Sequence, residues 1–266
     1  MGRKLSFREV QLGAYEVLKR IAEICDNHGW KYFLTYGSLI GAVRHNGIIP
    51  WDDDIDLMMP RPDYEALKNF FITKAAELLP LRWFDSTRVD QYPHMISRIS
   101  DIRYHLIFDN ELDYDIGLFV DIYPLDGVGN SIDTANKLIA KTKTLASLCF
   151  LTSRKSFAMD NTESKLKMIL KAPAFAWAKR MGNRHYINRL TTYSKIYSYE
   201  DSKYVACLVW PVGKKYGRLR DVYKKDVFDI QKHRFEDGDF NIPVGYDEFL
   251  SITYGSVSHA AEVCSR

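Results

Sequence analysis

Four aspartates, Asp52, Asp53, Asp54 and Asp56, crowd into five positions and run straight into the apolar Leu57, Met58 and Met59. Like charges packed this closely oppose folding unless something neutralises them, and a bound divalent cation is the usual remedy. If Asp54–Met59 is a strand, residues two apart share a face with their backbones roughly 6.5–7 Å apart. Asp54 and Asp56 then point together while Ile55 and Leu57 enter a core. Two such carboxylates can grip one Mg²⁺, or a pair of ions about 3.5–4 Å apart, and hard oxygen sites of this kind share the metal with substrate phosphates. The flanking Ile48–Trp51 and Leu57–Met59 are too apolar for a solvated acidic turn. An EF-hand loop is excluded because Leu57 stands where glycine is needed and Asp63 where glutamate is needed.

A phosphate-handling site of this type often draws a third carboxylate from a neighbouring strand. Asp121, a lone acid in the apolar run Leu118–Tyr123, is the candidate. Buried acids are rare unless paired or metal-bound, so the competing reading is an aspartate paired with a buried arginine. Asp126, beyond Pro124, is expected to cap a turn.

Around these residues the chain reads as an α+β or α/β core. A helix is expected over Phe7–His28, with Ser6 and Glu9 as a capping box and Gly29 as its stop. A short strand at Lys31–Tyr36, a turn at Gly37-Ser38 and a short helix at Leu39–Arg44 follow. A second long helix should cover Asp63–Leu79, then β-prone runs at Leu81–Phe84, His94–Ile99, Arg103–Phe108 and Leu118–Tyr123. Beyond residue 130 the pattern turns mainly helical, with a last strand near Asp239–Pro243 and a helix at Tyr246–Tyr254. Residues 1–129 are therefore expected to form a catalytic core and 130–266 a mainly helical annex, with the seam near Gly127–Asn130. Cys25, Cys149, Cys207 and Cys264 form no CxxC and are expected to be reduced packing residues.

The stretches Tyr36–His45, Ile49–Leu57, Arg61 with Asp63-Tyr64, and Phe119–Asp126 resemble the LicD family, phosphorylcholine transferases of bacterial cell-surface glycans related to fukutin-related proteins. Weaker likeness lies at Asn241–Pro243, Phe249-Leu250 and Tyr254-Gly255. Residues 256–266 depart from the family's usual ending. The resemblance implies a nucleotidyltransferase-like mixed sheet with flanking helices. It implies CDP-choline or a similar CDP-alcohol as donor, and a hydroxyl of a teichoic acid or lipopolysaccharide precursor as acceptor, with CMP released. On this resemblance Asp54 and Asp56 match the metal-binding pair, for Mg²⁺ or Mn²⁺, Asp121 the later acidic position, and Gly37-Ser38 the turn that approaches phosphate. Chemistry suggests Arg44 as a bidentate phosphate clamp and His45 as a donor or acceptor contact. Arg98 is a second phosphate candidate, or else the partner of Asp101 or Asp121. Asp121 is either a base toward the sugar hydroxyl or simply a ligand. A choline headgroup would want aromatic rings; Tyr36, Trp51, Trp83, Tyr92 and Tyr123 lie near in sequence, each also explicable as core.

Charge supplies the last expectation. The 37 Lys and Arg against 34 Asp and Glu give +3 overall, which argues against a nucleic-acid partner. Residues 164–199, however, hold eight cations and no acid, so the rest of the chain carries −5. Basic residues interleaved with Leu166, Met168, Phe175 and Trp177 read either as a peripheral contact with the inner face of a membrane that presents a lipid-linked glycan, or as a solvated basic face. No apolar run is long enough to span a bilayer and the N-terminus has no secretory character, so a cytoplasmic chain is expected.

Overall fold

The computed structural model describes residues 3–89, 92, 94–108, 113–153, 173, 176–210 and 221–254. Helix α1 (Phe7–His28) opens on the expected capping box: Ser6 Oγ accepts from the Glu9 N–H, and the Glu9 carboxylate accepts from the Ser6 N–H at 2.7 Å. It ends at Gly29 in the left-handed conformation, φ 69°. Its buried stripe of Ala14, Val17, Leu18, Ile21 and Cys25 lies against strand β5 (Leu118–Gly127). The approach is so close that a β-carbon on Gly13 would run into Leu118 Cδ1.

After α1 come β1 (Phe33–Leu34), α2 (Tyr36–His45), β2 (Asp56–Pro60), α3 (Arg61–Thr73), β3 (Leu81–Phe84), β4 (Ser97–Asp101) and β5. The sheet order is β1-β2-β5-β4-β3, with β2 and β5 parallel and the other neighbours antiparallel. Beyond β5 lie α4 (Ile132–Ser153), α5 (Asn183–Ser194), β6 (Tyr204–Ala206), β7 (Tyr223–Lys224), a 3₁₀ turn at Lys225–Phe228, β8 (Ile230–Phe235), β9 (Gly238–Pro243) and α6 (Tyr246–Tyr254). The mixed sheet with helices is the architecture the sequence implied.

The seam at Gly127–Asn130 does not divide the sheet or the core. Strand β6 continues the sheet by pairing Asp126 with Ala206 and Gly127 with Val205, and β7 adds to β6. Phe235, Phe240, Ile242, Phe249 and Leu250 share one hydrophobic cluster with α1 and β2. Helices α4 and α5 do pack on each other, and α4 has a smaller cluster of its own around Val128, Leu138, Ile139 and Leu208.

Several local expectations are corrected. The helix α2 begins at Tyr36, so Gly37 and Ser38 form its first turn; the backbone reverses at Tyr36 itself, φ 46°. The strand β2 begins at Asp56, leaving Asp54 just before it, and β1 is only two residues. Helix α3 stops at Thr73, and Arg103–Phe108 is not a strand. Cys25, Cys149 and Cys207 are buried free thiols, whereas Cys264, the 256–266 ending and residues 154–172 lie outside the described residues. Among the described residues, no helix is long and apolar enough to cross a membrane.

Candidate active site

The parallel register of β2 and β5 sets Asp56 directly beside Asp121 on one face of the sheet. Asp54 joins them from the preceding loop, which the Asp121 N–H holds by donating to the Ile55 carbonyl at 2.9 Å. One ligand oxygen from each of Asp54, Asp56 and Asp121 lies within 4.8 Å of the others. The three acids singled out on sequence thus converge.

The loop is fixed from two sides. The α2 N-terminus contributes Ser38, whose Oγ accepts the Asp56 N–H at 2.9 Å. It also contributes Gly37, where a β-carbon would stand 2.6 Å from Asp52 Oδ2; the glycine admits the carboxylate to the helix end, whose partial positive charge favours it. From below, Gln11 on the buried stripe of α1 donates to the carbonyls of Ile49 at 3.1 Å and Asp52 at 2.7 Å. Sequence reading passed over Gln11, although a glutamine at an apolar-stripe position was a visible signal.

No lysine or arginine pairs with Asp54 or Asp56 among the described residues. Burial, then the charges of Asp52, Asp121 and Asp53, pushes the Asp54 carboxyl up to about 8. Burial, then Asp54 and Asp121, holds Asp56 well above the usual carboxylate range, while hydrogen bonding from Tyr123 works the other way. Asp56 is 6% exposed, yet its Oδ1 has no hydrogen-bond partner. A buried, unpartnered oxygen within a set of three carboxylates is the donor chemistry a hard divalent cation takes, so these residues fit Mg²⁺ or Mn²⁺.

Arg98 is placed on Asp121 rather than in open space. Its Nε donates to Asp121 Oδ1 at 2.7 Å and its Nη1 to the Tyr114 hydroxyl at 2.8 Å. Of the two readings weighed for it, the ion pair with Asp121 is the one seen. Arg44 and His45 lie at the other end of α2, half-buried and exposed respectively, about 9–10 Å along the axis from Ser38. Asp126 caps no turn: it is fully buried and accepts from Arg61 Nε at 2.7 Å. Of the five aromatics near the acids, Tyr36, Trp83, Tyr92 and Tyr123 are packed into the protein, while Trp51 is 54% exposed with its ring edge-on to His45. A cavity of about 450 Å³ between α3 and α5, lined by Arg61, Lys68, Asp85, Thr191 and Ser194 among others, includes none of the three carboxylates.

Comparison with known proteins finds similarity over the part of the chain that carries these acids. Residues 29–145 match the family model described as LicD/FKTN/FKRP, nucleotidyltransferase domain. The lipopolysaccharide cholinephosphotransferase LicD of Haemophilus influenzae is 28% identical over 256 residues, 95% of this chain and 91% of that protein. The human ribitol 5-phosphate transferase FKRP is 45% identical over 42 residues, 16% of this chain and 8% of its own length. An uncharacterised Rickettsia prowazekii protein is 42% identical over 52 residues, 20% of each chain. The matched domain takes in β1 through β5 with all three carboxylates, and the Haemophilus influenzae relative aligns along nearly the whole length, so residues 29–145 are similar to the LicD/FKTN/FKRP nucleotidyltransferase domain and the chain as a whole to a LicD protein.

Proposed function

We propose that this chain is a LicD-family transferase that moves phosphocholine from CDP-choline, or the phospho-alcohol of a similar CDP-alcohol, to a hydroxyl of a cell-surface glycan precursor of teichoic acid or lipopolysaccharide type. The observation that carries the reading is the Asp56–Asp121 register, which with Asp54 makes a compact set of three carboxylates. Mg²⁺ or Mn²⁺ held by Asp54, Asp56 and Asp121 would neutralise and orient the donor phosphates. The acceptor oxygen bonds to the phosphorus that carries the alcohol, the bridging oxygen leaves with CMP, and the hydroxyl proton passes to a carboxylate. Arg98 engages Oδ1 of Asp121, so Oδ2 is the atom of that residue left to serve as ligand or proton acceptor. Gly37 and Ser38 offer the donor phosphates a helix N-terminus, and Arg44 and His45 meet the donor from the other end of α2.

The identity of the relatives supports phosphocholine first and a polyol phosphate second, the latter on the match to a ribitol 5-phosphate transferase. The test is CMP release from a panel of CDP-alcohols and nucleotide-sugars with a membrane-extract acceptor, with Mg²⁺ or EDTA. CDP-choline turnover abolished by EDTA is expected; turnover of a nucleotide-sugar but of no CDP-alcohol would refute the reading.

The acceptor is proposed to be lipid-linked and met from the cytoplasmic side at the inner membrane surface. Support comes from the exposed Trp177, Lys179, Arg180, Arg184 and Arg189 on the helical residues 176–181 and α5; Lys165, Lys167 and Lys171 lie outside the described residues. Co-sedimentation with phosphatidylglycerol vesicles should be salt-sensitive and weaken on charge reversal at Arg180 and Arg184. Binding indifferent to both changes would refute the contact.

A further inference from the structure

Across the face of the sheet that bears the acids, one row of side chains runs Asp56, Asp121, Arg98, set by the parallel β2–β5 and antiparallel β4–β5 registers. Arg98 is 7% exposed. Its guanidinium stacks over the Phe119 ring at 4.0 Å, and its polar contacts among the described residues, to Asp121 and Tyr114, are made within the protein. Such a side chain is held too firmly to swing toward a passing phosphate. Its charge is also a permanent part of the site, because a guanidinium stays protonated.

We propose that Arg98 is a positioning residue that sets the carboxylate centre to hold one resident divalent cation rather than two. The inference rests on the metal-binding reading of Asp54, Asp56 and Asp121. Arg98 cancels one negative charge of the ionised carboxylate set, to which Asp52 and Asp53 also contribute beside Asp54. Arg98 also occupies Oδ1 of Asp121, so this residue cannot bridge two metals with both its oxygens, as a shared carboxylate in a two-metal site would. A second ion then has to arrive with the charge and oxygens of the donor phosphates.

Mn²⁺ titration of the whole chain without nucleotide, read by calorimetry and by the loss of the free-Mn²⁺ electron paramagnetic resonance signal, tests this directly. One ion per chain is expected for the natural sequence, and this measurement requires no variant. Arg98→Lys, which keeps the charge, should stay at one. Arg98→Gln, which frees Oδ1 and removes the neutralising charge, should take up a second ion. Two ions bound by the natural sequence, or Arg98→Gln folded and unchanged in stoichiometry, would overturn the proposal while leaving the metal centre intact. No Mn²⁺ bound by the natural sequence would overturn the metal centre, and this inference with it.

Discussion

Asp56 is the residue that most needs explaining, because a buried carboxylate oxygen without a partner costs about 1–3 kcal/mol or more, and here nothing in the described protein offsets it. A cost of that size is tolerated where function requires it. Asp54→Asn and Asp56→Asn should therefore each cut CMP release by about two orders of magnitude, the scale of losing one preorganised electrostatic contact, and each should weaken Mn²⁺ binding by calorimetry. Full activity in either variant would remove that residue from the site. Asp126, whose Oδ2 also lacks a hydrogen-bond partner, differs in being held by an arginine. Burial raises its carboxyl while Arg61 opposes the shift, and the pair joins the start of α3 to the end of β5. Arg61→Met leaves a buried acid alone and should destabilise the fold by about 3–5 kcal/mol in urea, whereas Arg61→Met with Asp126→Leu should regain most of that loss. A single variant as stable as the natural sequence would mean that the pair does not hold the elements together.

At the scale of elements, α1 is more than a covering helix, since Gln11 reaches from its buried face to the carbonyls of Ile49 and Asp52, at the two ends of the turn that leads into the acids. Gln11→Leu keeps the volume but takes the side-chain donor from both carbonyls, of which Ile49's still accepts from the Asp52 N–H at 3.0 Å. The expected cost is about 1–3 kcal/mol of stability and a fall of about tenfold to a hundredfold in Mn²⁺ affinity, as for other residues that orient metal ligands. Unchanged Mn²⁺ affinity would confine Gln11 to structure. Elements with a clear period and caps were legible before any coordinates: α1 and α6 fall at the boundaries that spacing, Ser6 and Gly29 predict. Strand β8 was not, because Gln231, Lys232, His233 and Arg234 give no apolar alternation; its backbone pairing with β9 forms it instead. The start of α2 was misplaced because a tyrosine at positive φ carries no sequence signal, while the adjacent Gly37-Ser38 carries a strong but misleading one. The acids themselves were legible as types and spacing. Their convergence was not, since it depends on a register between strands some sixty residues apart.

At the scale of the whole molecule, a cation held by the three acids would make metal binding and folding one equilibrium. Asp54 titrates near 8 in the folded chain and near 3.9 in an unfolded one. A raised carboxyl contributes its stability in the protonated form: fully present below about pH 4, that stability is lost as pH rises through about 8, because the unfolded state then holds fewer protons than the folded state. Asp56, shifted the same way, adds to the trend. The carboxyls pulled down by their partners, Glu9, Asp85, Glu236 and Asp237, act on the acid side, below about pH 4.5, and do not mask it. The metal-free protein should therefore melt at progressively lower temperature between pH 5 and 8. Saturating Mg²⁺, which favours the ionised carboxylates, should raise the melting temperature most at the alkaline end and flatten the profile. Asp54→Asn removes one of the charges forced into the cluster, so its metal-free profile should be flatter than that of the natural sequence and gain less from Mg²⁺. Scanning calorimetry across this pH range, with EDTA and with Mg²⁺, checks all three curves. A metal-free melting temperature that rises from pH 5 to 8, or an Asp54→Asn profile as steep as the natural one, would mean that the acids are not strained against each other and that the fold does not reserve this place for a cation.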